Sequence, residues 1–598
     1  MSIITLDFET YYDKEYSLSK LTTEEYIQDK RFEAIGVGIK VDTKPSVWIT
    51  GKNIWTELKA IDWKNHALLC QNTMFDAGVL SFRYGILPGF YFDTMLMARA
   101  KLGATASVSL KSLAARYGLG VKGEAVHNNI GKRAFDFSPA GLADYGVYCC
   151  NDVDLCHSLF SALLPFPDDE LRLIDLTLRM YTDPAFHVDV PLLNTRLEEI
   201  KQEKSAMLQG LMQKLKCSDE ESVRKKLSSN IEFAVCLEEA GVEVPIKISP
   251  TTGKETYALA KTDEGFIDLQ SHPDIGVQQL CAVRLGTKST LEESRVERFI
   301  GIAARNNSKL PIPLRYYGAH TGRWSGTDGV NFQNLPSRDE AKKSLKASLV
   351  APPGYVVINS DSSQIEARVL AWLANQIELV TAFREGRDVY SEFASLRYGR
   401  TITKKDTVER FLGKTCILGL GYGTGAEKLR STLKIQGKVE LSLDEAKELV
   451  SLYRATYYKI PQLWKALEQD LHDIMQVEEP RYALPNELYL HYANLRILDG
   501  KMVYDNRNGI KGIWGGAIAE NVTQALARIL IGYQMIKIAN QGYRPALTVH
   551  DSLVYVVPKP KQDEAIQIIR AGMSAIPDWA EGLPLTCEIK VGSNYAEV

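Results

Sequence analysis

The sequence has few of the features that mark disulfide-stabilised, zinc-binding, secreted or membrane-spanning proteins. Its nine cysteines are scattered among 598 residues, with no CxxC pair and no cluster of cysteine and histidine at zinc-ligand spacing. No apolar run approaches the roughly 18 to 20 residues of a membrane span. The opening residues, MSIITLDFET, have neither the basic leader nor the apolar stretch of a secretory signal. These absences predict a cytoplasmic protein in a reducing compartment, with no membrane partner.

The chain also lacks an excess of charge of either sign. Its 71 Lys and Arg residues nearly balance 74 Asp and Glu residues, which excludes a uniformly basic chain but not a local basic groove beside acidic centres. Apolar residues make up 45% and charged residues 24%, which excludes collagen-like, coiled-coil and broadly disordered chains. At roughly 100 to 200 residues per domain, the length predicts several packed domains.

The pattern of apolar residues predicts an α/β multidomain protein with regions of different construction. The first region carries predicted strands and then helices, over Ser2–Thr10, Ala34–Val41, Ser46–Thr50, Ala67–Cys70, Ser109–Tyr117 and Leu142–Leu163. Prolines at positions 165 and 167 break the last helix and predict a domain boundary. A charged, helix-rich arm follows from Leu192 to about Arg305, with a polar insertion at Ser249–Phe266. After Thr321, strands and helices alternate irregularly.

Acidic residues recur at structured positions of the first region. Asp7 and Glu9 lie two apart on a predicted strand, so their carboxylates leave the same face. Alone, this motif is more often an edge strand that carries solvated acids. Asp76 begins a helical run, however, and Tyr148 and Asp152 lie four apart on one helix face. Four acids with little positive charge nearby suit two divalent cations, which activate a water and stabilise the leaving oxygen of a phosphodiester.

This set of residues resembles the DEDDy branch of the DnaQ-like 3′-to-5′ exonucleases, with its three motifs in the expected order. The resemblance covers residues 1 to about 165 and implies an RNase H-like domain that uses Mg²⁺. It implies four metal ligands, which are Asp7, Glu9, Asp76 and Asp152. It also implies that Tyr148 orients the attacking water. Asp93 is expected to have a structural role or to support the ligands.

A second pair of acids occupies predicted strand ends in the C-terminal half. The strand Tyr355–Asp361 ends in a carboxylate and is followed by a helix, and Leu547–Tyr555 forms two strand halves with His550 and Asp551 at the turn. Either acid alone is more often an ordinary turn residue. Two such strand ends can nevertheless bring Asp361 and Asp551 together.

Between these acids, four residues recur in steps of four and share one helix stripe: Arg410, Lys414, Leu418 and Tyr422. One interpretation is a solvated basic stripe beside a core. The other is a nucleotide site, in which the cations hold a triphosphate while the apolar group and the phenol meet the sugar and base.

Together these segments resemble motifs A, B and C of the family A DNA polymerases. The match includes Thr321-Gly322-Arg323, Asn331–Asn334 and Glu588–Gly592, and spans residues 166–598. It implies a right-hand polymerase with a thumb at about 190–305, fingers at about 380–480 and a palm from the remaining segments. It also implies a monomer that uses primer-template DNA and deoxynucleoside triphosphates, with a replication helicase, a primase or a processivity factor as further candidate partners.

The resemblance implies a role for each site residue. Asp361 and Asp551 would hold two Mg²⁺ ions, for which Mn²⁺ can substitute, and Lys414 would also protonate the leaving group. Glu366 would exclude a 2′-hydroxyl. The expected nucleotide-binding residues are Arg410, Lys414, Leu418, Tyr422, Glu366 and Gln364. The expected DNA-binding residues are Arg323, Asn331, Gln333, Asn334, Gln524 and His550.

Three residues depart from the family pattern. Leu418 stands where well-known members carry Phe or Tyr, Ser552 where many have Glu, and Ser362 where Tyr is usual. The Ser552 departure leaves two assigned acids in the palm, and Leu418 leaves dideoxynucleotide handling open. The proofreading motif begins at residue 7, so no 5′ nuclease is expected before it. This compact plan, with the segment Gly515–Asn521 before Gln524, resembles phage replicative polymerases.

Two other classes of function remain open at this level. The chain could be a 3′-to-5′ exonuclease whose polymerase-like module only binds DNA, or a replication scaffold without catalytic activity. Primer extension with and without deoxynucleotides separates the three, because the primer grows, shortens or stays unchanged.

Overall fold

The computed structural model describes residues 1–123, 129–249, 253–261, 263–270, 272, 274–288, 291–335, 343–507 and 509–598. Within these ranges, no helix is long and apolar enough to cross a membrane. The predicted polar insertion at Ser249–Phe266 lies partly outside them, because residues 250–252 and 262 are not described.

The N-terminal region is built on a five-stranded mixed sheet in the order β3-β2-β1-β4-β5. The central strand β1 runs antiparallel to β2 and parallel to β4, and β4 runs parallel to β5. The strands are β1 Ser2–Thr10, β2 Ala34–Val41, β3 Val47–Thr50, β4 His66–Cys70 and β5 Phe90–Asp93. The helices are α1 Thr23–Gln28, α2 Asn53–Ala60, α3 Thr73–Tyr84, α4 Thr94–Leu102, α5 Leu110–Tyr117 and α6 Pro139–Leu163.

Helix α6 shows why the predicted elements are largely confirmed here. It ends at Leu163, just before the Leu164-Pro165 bond, as the prolines predict. It begins three residues earlier than predicted, because the Ser138 hydroxyl accepts a hydrogen bond from Gly141 N and Pro139 occupies the first helical position. The predicted bounds of β1 and β2 match the structure residue for residue.

A largely helical arm follows, and it has a hydrophobic core of its own around Leu208, Phe233, Phe266 and Cys281. The elements from the connecting helix to the end of the arm are α7 Asp168–Thr182, β6 His187–Val188, α8 Val190–Met212, α9 Glu220–Ser228, α10 Asn230–Glu239, β7 Ile246–Ile248, β8 Glu255–Tyr257, α11 Glu264–Gln270, α12 Ile275–Lys288 and α13 Leu291–Arg305. The predicted arm is therefore confirmed as helical, with a β7–β8 hairpin at the insertion.

The C-terminal region is built around a four-stranded antiparallel sheet in the order β18-β19-β12-β20. Its strands are β12 Tyr355–Ser362, β18 Leu547–Val549, β19 Ser552–Pro558 and β20 Cys587–Gly592. The helices are α14 Ser344–Ala347, α15 Ile365–Leu373, α16 Ile377–Arg384, α17 Val389–Tyr398, α18 Thr407–Leu420, α19 Ala426–Gly437, α20 Leu443–Thr456, α21 Lys459–Ile474, α22 Gly515–Ala539 and α23 Gln562–Met573. The remaining short strands are β9 Leu314–Arg315, β10 Ser325–Gly326, β11 Leu349–Val350, β13 Arg481–Ala483, β14 Tyr489–His491, β15 Arg496–Leu498, β16 Lys501–Asn506 and β17 Gly509–Gly512.

A buried ion pair joins the connecting helix α7 to the long helix α22. Arg528 Nη1 donates to Glu170 Oε1 over 2.5 Å, and the two side chains are 1% and 3% exposed. Glu170 also accepts hydrogen bonds from the Tyr316 hydroxyl and the Asn486 amide. Three rings surround the guanidinium carbon at 4.8 to 5.1 Å, those of Tyr316, Tyr317 and Trp324. Burial opposes the charge on Glu170, but Arg528 and the hydrogen bonds from Tyr316 and Asn486 together outweigh it and lower the pKa of the carboxyl.

Replacing one partner of this ion pair is expected to destabilise the folded state. Glu170→Ala should lower the free energy of unfolding by about 3 to 5 kcal/mol, because Arg528 would remain buried without its counter-ion. Denaturant unfolding followed by tryptophan fluorescence measures the change. Lys447→Ala removes the exposed pair with Asp444 and is the control, expected to change stability marginally. Equal effects of the two substitutions would contradict the assigned importance of the buried pair.

Candidate active sites

The first candidate site is the N-terminal acid cluster, formed by Asp7, Glu9, Asp76 and Asp152. Strand β1 presents the first two carboxylates, and helix α3 brings the third to it, because Phe8 N donates to Asp76 Oδ1 over 3.0 Å. Helix α6 packs on β1 and β2 and supplies Asp152, which acts electrostatically on Asp7 and Glu9. The structure thus gathers the four acids that the sequence singled out.

Three of these carboxyl groups are crowded together and shielded from water, which raises their pKa values. Burial and the nearby Asp152 raise the pKa of Asp7 to about 7. Burial and Asp7 raise the pKa of Glu9 to about 8, and the same two causes raise the pKa of Asp76 well above its ordinary value. Asp152 Oδ1 is buried and has no hydrogen-bond partner among the described residues. Such a set of oxygen donors fits hard divalent cations, whose charge would offset the repulsion.

The sequence analysis missed a lysine at this cluster. Lys122 Nζ hydrogen-bonds to Asp152 Oδ2 and lies 5.5 Å from the centre of the Tyr148 ring. The expectation of little positive charge near the acids is therefore wrong. Lys122 lies in an irregular segment between α5 and α6, and no periodic pattern predicts where such a segment folds back.

Two tyrosines of α6 contact the acids, although only one was predicted. Burial and the charge of the nearby Asp152 raise the pKa of the Tyr148 phenol. Tyr145, one turn earlier, donates to Glu9 Oε2 over 2.5 Å. Asp93 caps α4 by accepting from Leu96 N and also accepts from Thr73 N, so its expected structural role is confirmed.

A cavity of about 750 Å³ opens beside Tyr148 and Lys122. Its wall includes Arg99, Arg315, Gln71 and Asn72. Arg99 is 7% exposed, and its Nε and Nη1 have no hydrogen-bond partner within the described part of the chain. Burial and the cations of Arg315 and Arg507 lower its pKa to about 10, which leaves it charged at neutral pH. The cavity therefore suits a negatively charged ligand.

The second candidate site is the C-terminal acid pair, Asp361 and Asp551. Strand β12 pairs with β19 so that Asp361 lies opposite Ser552, and Ser362 N donates to the Asp551 carbonyl oxygen over 3.0 Å. His550 takes a left-handed conformation with φ of 51°, which closes the tight turn between β18 and β19. The Ser552 hydroxyl donates to Asp361 Oδ1 over 2.5 Å. The two predicted strand ends do bring these acids together.

Arg323 and Glu366 complete this second site by contacting each other. Arg323 Nη2 hydrogen-bonds to Glu366 Oε1 and lies 3.8 Å from Asp551 Oδ1. Burial raises the pKa of Asp551 to about 6; Arg323 opposes this, while Glu366 and Asp361 add to it. The sequence assigned Arg323 and Glu366 to different partners and did not predict their ion pair.

A third carboxylate lies on the same sheet face. Glu588 of β20 pairs in register with Asp361, on the side opposite Ser552, and its charge contributes to the raised pKa of Asp361 after burial, the larger cause. The sequence analysis placed only two acids here, because the register of β20 is not visible from local pattern.

The stripe on α18 is confirmed for three of its four residues. Arg410, Lys414 and Leu418 lie on the helix, with Lys414 and Leu418 exposed. The helix ends at Leu420, so the prediction that Tyr422 continues the stripe is wrong. Gly423 has φ of 76° and sits so close to the Trp514 ring that a Cβ would lie 2.0 Å from it, which fixes a turn there.

The other predicted contact residues differ in accessibility. Arg410 donates to Asp388 Oδ2 over 2.6 Å, and Gln364 lies close enough to Tyr390 to affect the pKa of its phenol. Asn331 caps the short 3₁₀ helix Phe332–Asn334 by accepting from Gln333 N. Gln333 is 9% exposed, whereas Asn334 is exposed. Gln524 is half-buried and accepts from the Thr321 hydroxyl.

Removal of Lys122 should strengthen divalent-ion binding at the N-terminal acid cluster. A unit charge a few ångströms from a dication opposes its binding by several kcal/mol at intermediate dielectric, so Lys122→Met should raise Mn²⁺ affinity by at least about tenfold. Titration followed by electron paramagnetic resonance measures this, in a background where Asp361 and Asp551 are both Ala. Exposed Lys20→Met is the matched control. Unchanged or weaker Mn²⁺ binding would contradict the competition between Lys122 and metal.

Comparison with known proteins connects the C-terminal site to one family. A model described as DNA polymerase family A matches residues 195–597. The chain is 28% identical over 314 residues to DNA polymerase I of Chloroflexus aurantiacus, covering 52% of this chain and 31% of that protein. It is 29% identical over 343 residues to the DNA polymerase of Bacillus phage SP02, covering 47% and 52%. It is 24% identical over 554 residues to DNA polymerase I of Synechocystis sp., covering 88% and 53%.

The chain thus spans between about a third and a half of the length of these curated relatives. A solved structure described as the POL domain of Pol1 from M. smegmatis in complex with DNA primer-template and dNTP has the same fold. The TM-score is 0.70 at 21% identity, over 100% of this chain and 96% of that one. The family model covers well over half of the chain, including Asp361, Asp551 and the α18 stripe. The chain belongs to DNA polymerase family A.

Proposed function

We propose that this chain is a template-directed DNA polymerase that also proofreads with a 3′-to-5′ exonuclease. The observation that carries the proposal is the meeting of Asp361 and Asp551 across the β12–β19 pairing, beside Arg323 and Glu366, in a member of family A. The exonuclease is assigned to residues 1–165 and the polymerase to residues 166–598. Within the latter, the four-stranded sheet belongs to the palm, the α18 region to the fingers and the helical arm to the thumb.

The proposed substrates are primer-template DNA and deoxynucleoside triphosphates. Both are named for the M. smegmatis structure, whose fold spans this whole chain. The phage SP02 polymerase is among the relatives and supports a role in phage DNA replication.

In the polymerase centre, Asp361 and Asp551 would hold the divalent ions, generally Mg²⁺, that family A polymerases use. Bound there, these ions lower the pKa of the primer hydroxyl and neutralise charge on the transferred phosphate. The Ser552 hydroxyl orients one oxygen of Asp361. Glu588 adds negative charge beside Asp361. It thereby takes over part of the role of the Glu that many family members carry at the position of Ser552.

The α18 stripe faces outward and is suited to the triphosphate. Lys414 is exposed and free to approach the β and γ phosphates, and protonates the departing pyrophosphate. Asp388 holds the Arg410 guanidinium through Nε and Nη2. This contact fixes the direction of the guanidinium, which leaves Nη1 for phosphate. Leu418 and Tyr422 then border the sugar and base.

In the exonuclease centre, the single-stranded 3′ end would occupy the cavity beside Tyr148. Arg99 and Arg315 line it and contact the phosphates, and Asn72 and Gln71 offer polar side chains nearby. The Tyr148 phenol orients the attacking water next to the scissile phosphate. Asp152 lies near Tyr148 and acts on it electrostatically.

Substitutions of acids should separate the two activities. Asp551→Ala should abolish primer extension while leaving shortening, because the exonuclease acids lie on a different sheet; Asp7→Ala with Glu9→Ala should do the reverse. A 5′-labelled primer incubated with Mg²⁺, with or without deoxynucleotides, reports both activities. Glu57→Ala, exposed on α2, is the control. Extension by Asp551→Ala, or Mg²⁺-dependent shortening by the purified double variant, would refute the corresponding assignment.

The side chain of Glu366 should select against ribonucleotides by its volume. Overpacking by one oxygen costs about 1 to 3 kcal/mol, so Glu366→Ala should raise ribonucleotide incorporation relative to deoxynucleotide by at least about tenfold. Glu366→Gln keeps the volume but weakens the Arg323 pair, and should retain most of the discrimination. Single-nucleotide insertion kinetics with a ribonucleotide and the matching deoxynucleotide measure this discrimination. Equal discrimination by Ala and wild type would place the gate elsewhere.

A further inference from the structure

A cysteine lies among the candidate metal ligands of the N-terminal acid cluster. Cys149 Sγ is 3.4 Å from the Asp7 carbonyl oxygen and 3.7 Å from Asp7 Oδ2. Ligand atoms of Asp7, Glu9 and Cys149 all lie within 4.8 Å of one another. The thiol is fully buried and packs against Gly38 of β2. Asp152 follows Cys149 by three residues on α6, so the two side chains lie on the same face of that helix.

These separations are those of a mixed oxygen and sulfur metal site. In a tetrahedral zinc site, with bonds of about 2.0 Å to oxygen and 2.3 Å to sulfur, the two donor atoms lie about 3.5 Å apart. The 3.7 Å between Cys149 Sγ and Asp7 Oδ2 requires little adjustment to match. A fourth donor is available in Asp152 Oδ1, which is buried without a hydrogen-bond partner among the described residues.

We propose that Cys149 is a metal ligand which makes this centre bind zinc in preference to magnesium. Thiolate is a soft donor that favours Zn²⁺, whereas Mg²⁺ takes oxygen donors. Binding converts the thiol to a thiolate, forms the sulfur–metal bond and releases the thiol proton to solvent. The C-terminal site offers the oxygen donors of Asp361 and Asp551, and among the described residues no cysteine groups with these two acids at metal-ligand distances.

Zinc would therefore act on the two centres differently. This consequence rests on the proposed exonuclease: zinc held by Asp7, Glu9 and Cys149 blocks primer shortening at concentrations that leave extension intact. The binding itself does not rest on that function, because it depends only on the three ligands.

Cobalt spectroscopy of the full-length chain tests the ligand directly. Co²⁺ bound to a thiolate gives a sulfur-to-cobalt charge-transfer band in the near ultraviolet, which oxygen-only sites do not give. Wild type should show the band, and Cys149→Ser should lose it. Cys150→Ser is the matched control, since Cys150 is directed toward Ser46, and should keep it. Asp7→Ala with Glu9→Ala should weaken the band, because two of the ligands are removed.

Zinc affinity, measured by calorimetry against a Mg²⁺ background, provides the second readout. Even partners that only support metal ligands are worth about 10- to 100-fold in affinity, so Cys149→Ser should weaken zinc binding by at least about tenfold. Primer extension by Cys149→Ser reports that the variant is folded. A band retained in Cys149→Ser, or unchanged zinc affinity in a variant that extends primers, overturns the proposal. A wild type that shows the band but never shortens primers overturns the exonuclease assignment and leaves the zinc site standing.

Discussion

The buried contact between Glu170 and Arg528 is the constraint around which both candidate sites are arranged. It fixes α7, which packs against α3 and β5 of the N-terminal sheet, to α22, which packs against α15 and α21. Tyr316 and Trp324, which surround the guanidinium, flank the segment that carries Arg323. Because a charge of either sign left alone in this interior is strongly unfavourable, these helices and this segment are held in a single arrangement. The ion pair thus sets where α3 presents Asp76 and where α15 presents Glu366.

The two acid groups solve the repulsion between their carboxylates in different ways. Glu9 and Asp76 are buried and Asp7 is half-buried, so protonation, the Tyr145 hydroxyl and the Lys122 ammonium limit the charge there. Asp361 is accessible to solvent, and Arg323 bridges Asp551 and Glu366 nearby. Lys122 at the N-terminal acid cluster and Arg323 at the C-terminal acid pair therefore supply part of the positive charge that bound metal ions would supply. The protein alone keeps both centres assembled with these internal cations in place.

Local pattern predicted the elements of both sites but not the contacts between segments distant in sequence. The alternation of side chains along a strand was enough to predict that Asp7 and Glu9 share one face. The strand–turn–strand pattern was enough to place His550 and Asp551 at a turn, because both signals lie within a few residues. Lys122, Asp388 and Glu588 were missed, since a loop path, an ion pair across 22 residues and a strand register depend on the packed fold. The end of α18 before Tyr422 was the exception. There the glycines at 419, 421 and 423 were a readable signal against a continuing helix.

One segment takes part in both sites and makes them parts of a single molecule. Residues 314–328 run from Arg315, in the wall of the cavity near Tyr148, through Arg323, beside Asp551, to Asp328, in the same cavity wall. Asp328 also accepts a hydrogen bond from Thr23 N, at the start of α1. The N-terminal sheet therefore does not enclose its own cavity: the polymerase-family part of the chain supplies one wall. A change in the packing of this segment would therefore alter the cavity beside Tyr148 and the position of Arg323 beside Asp551 together.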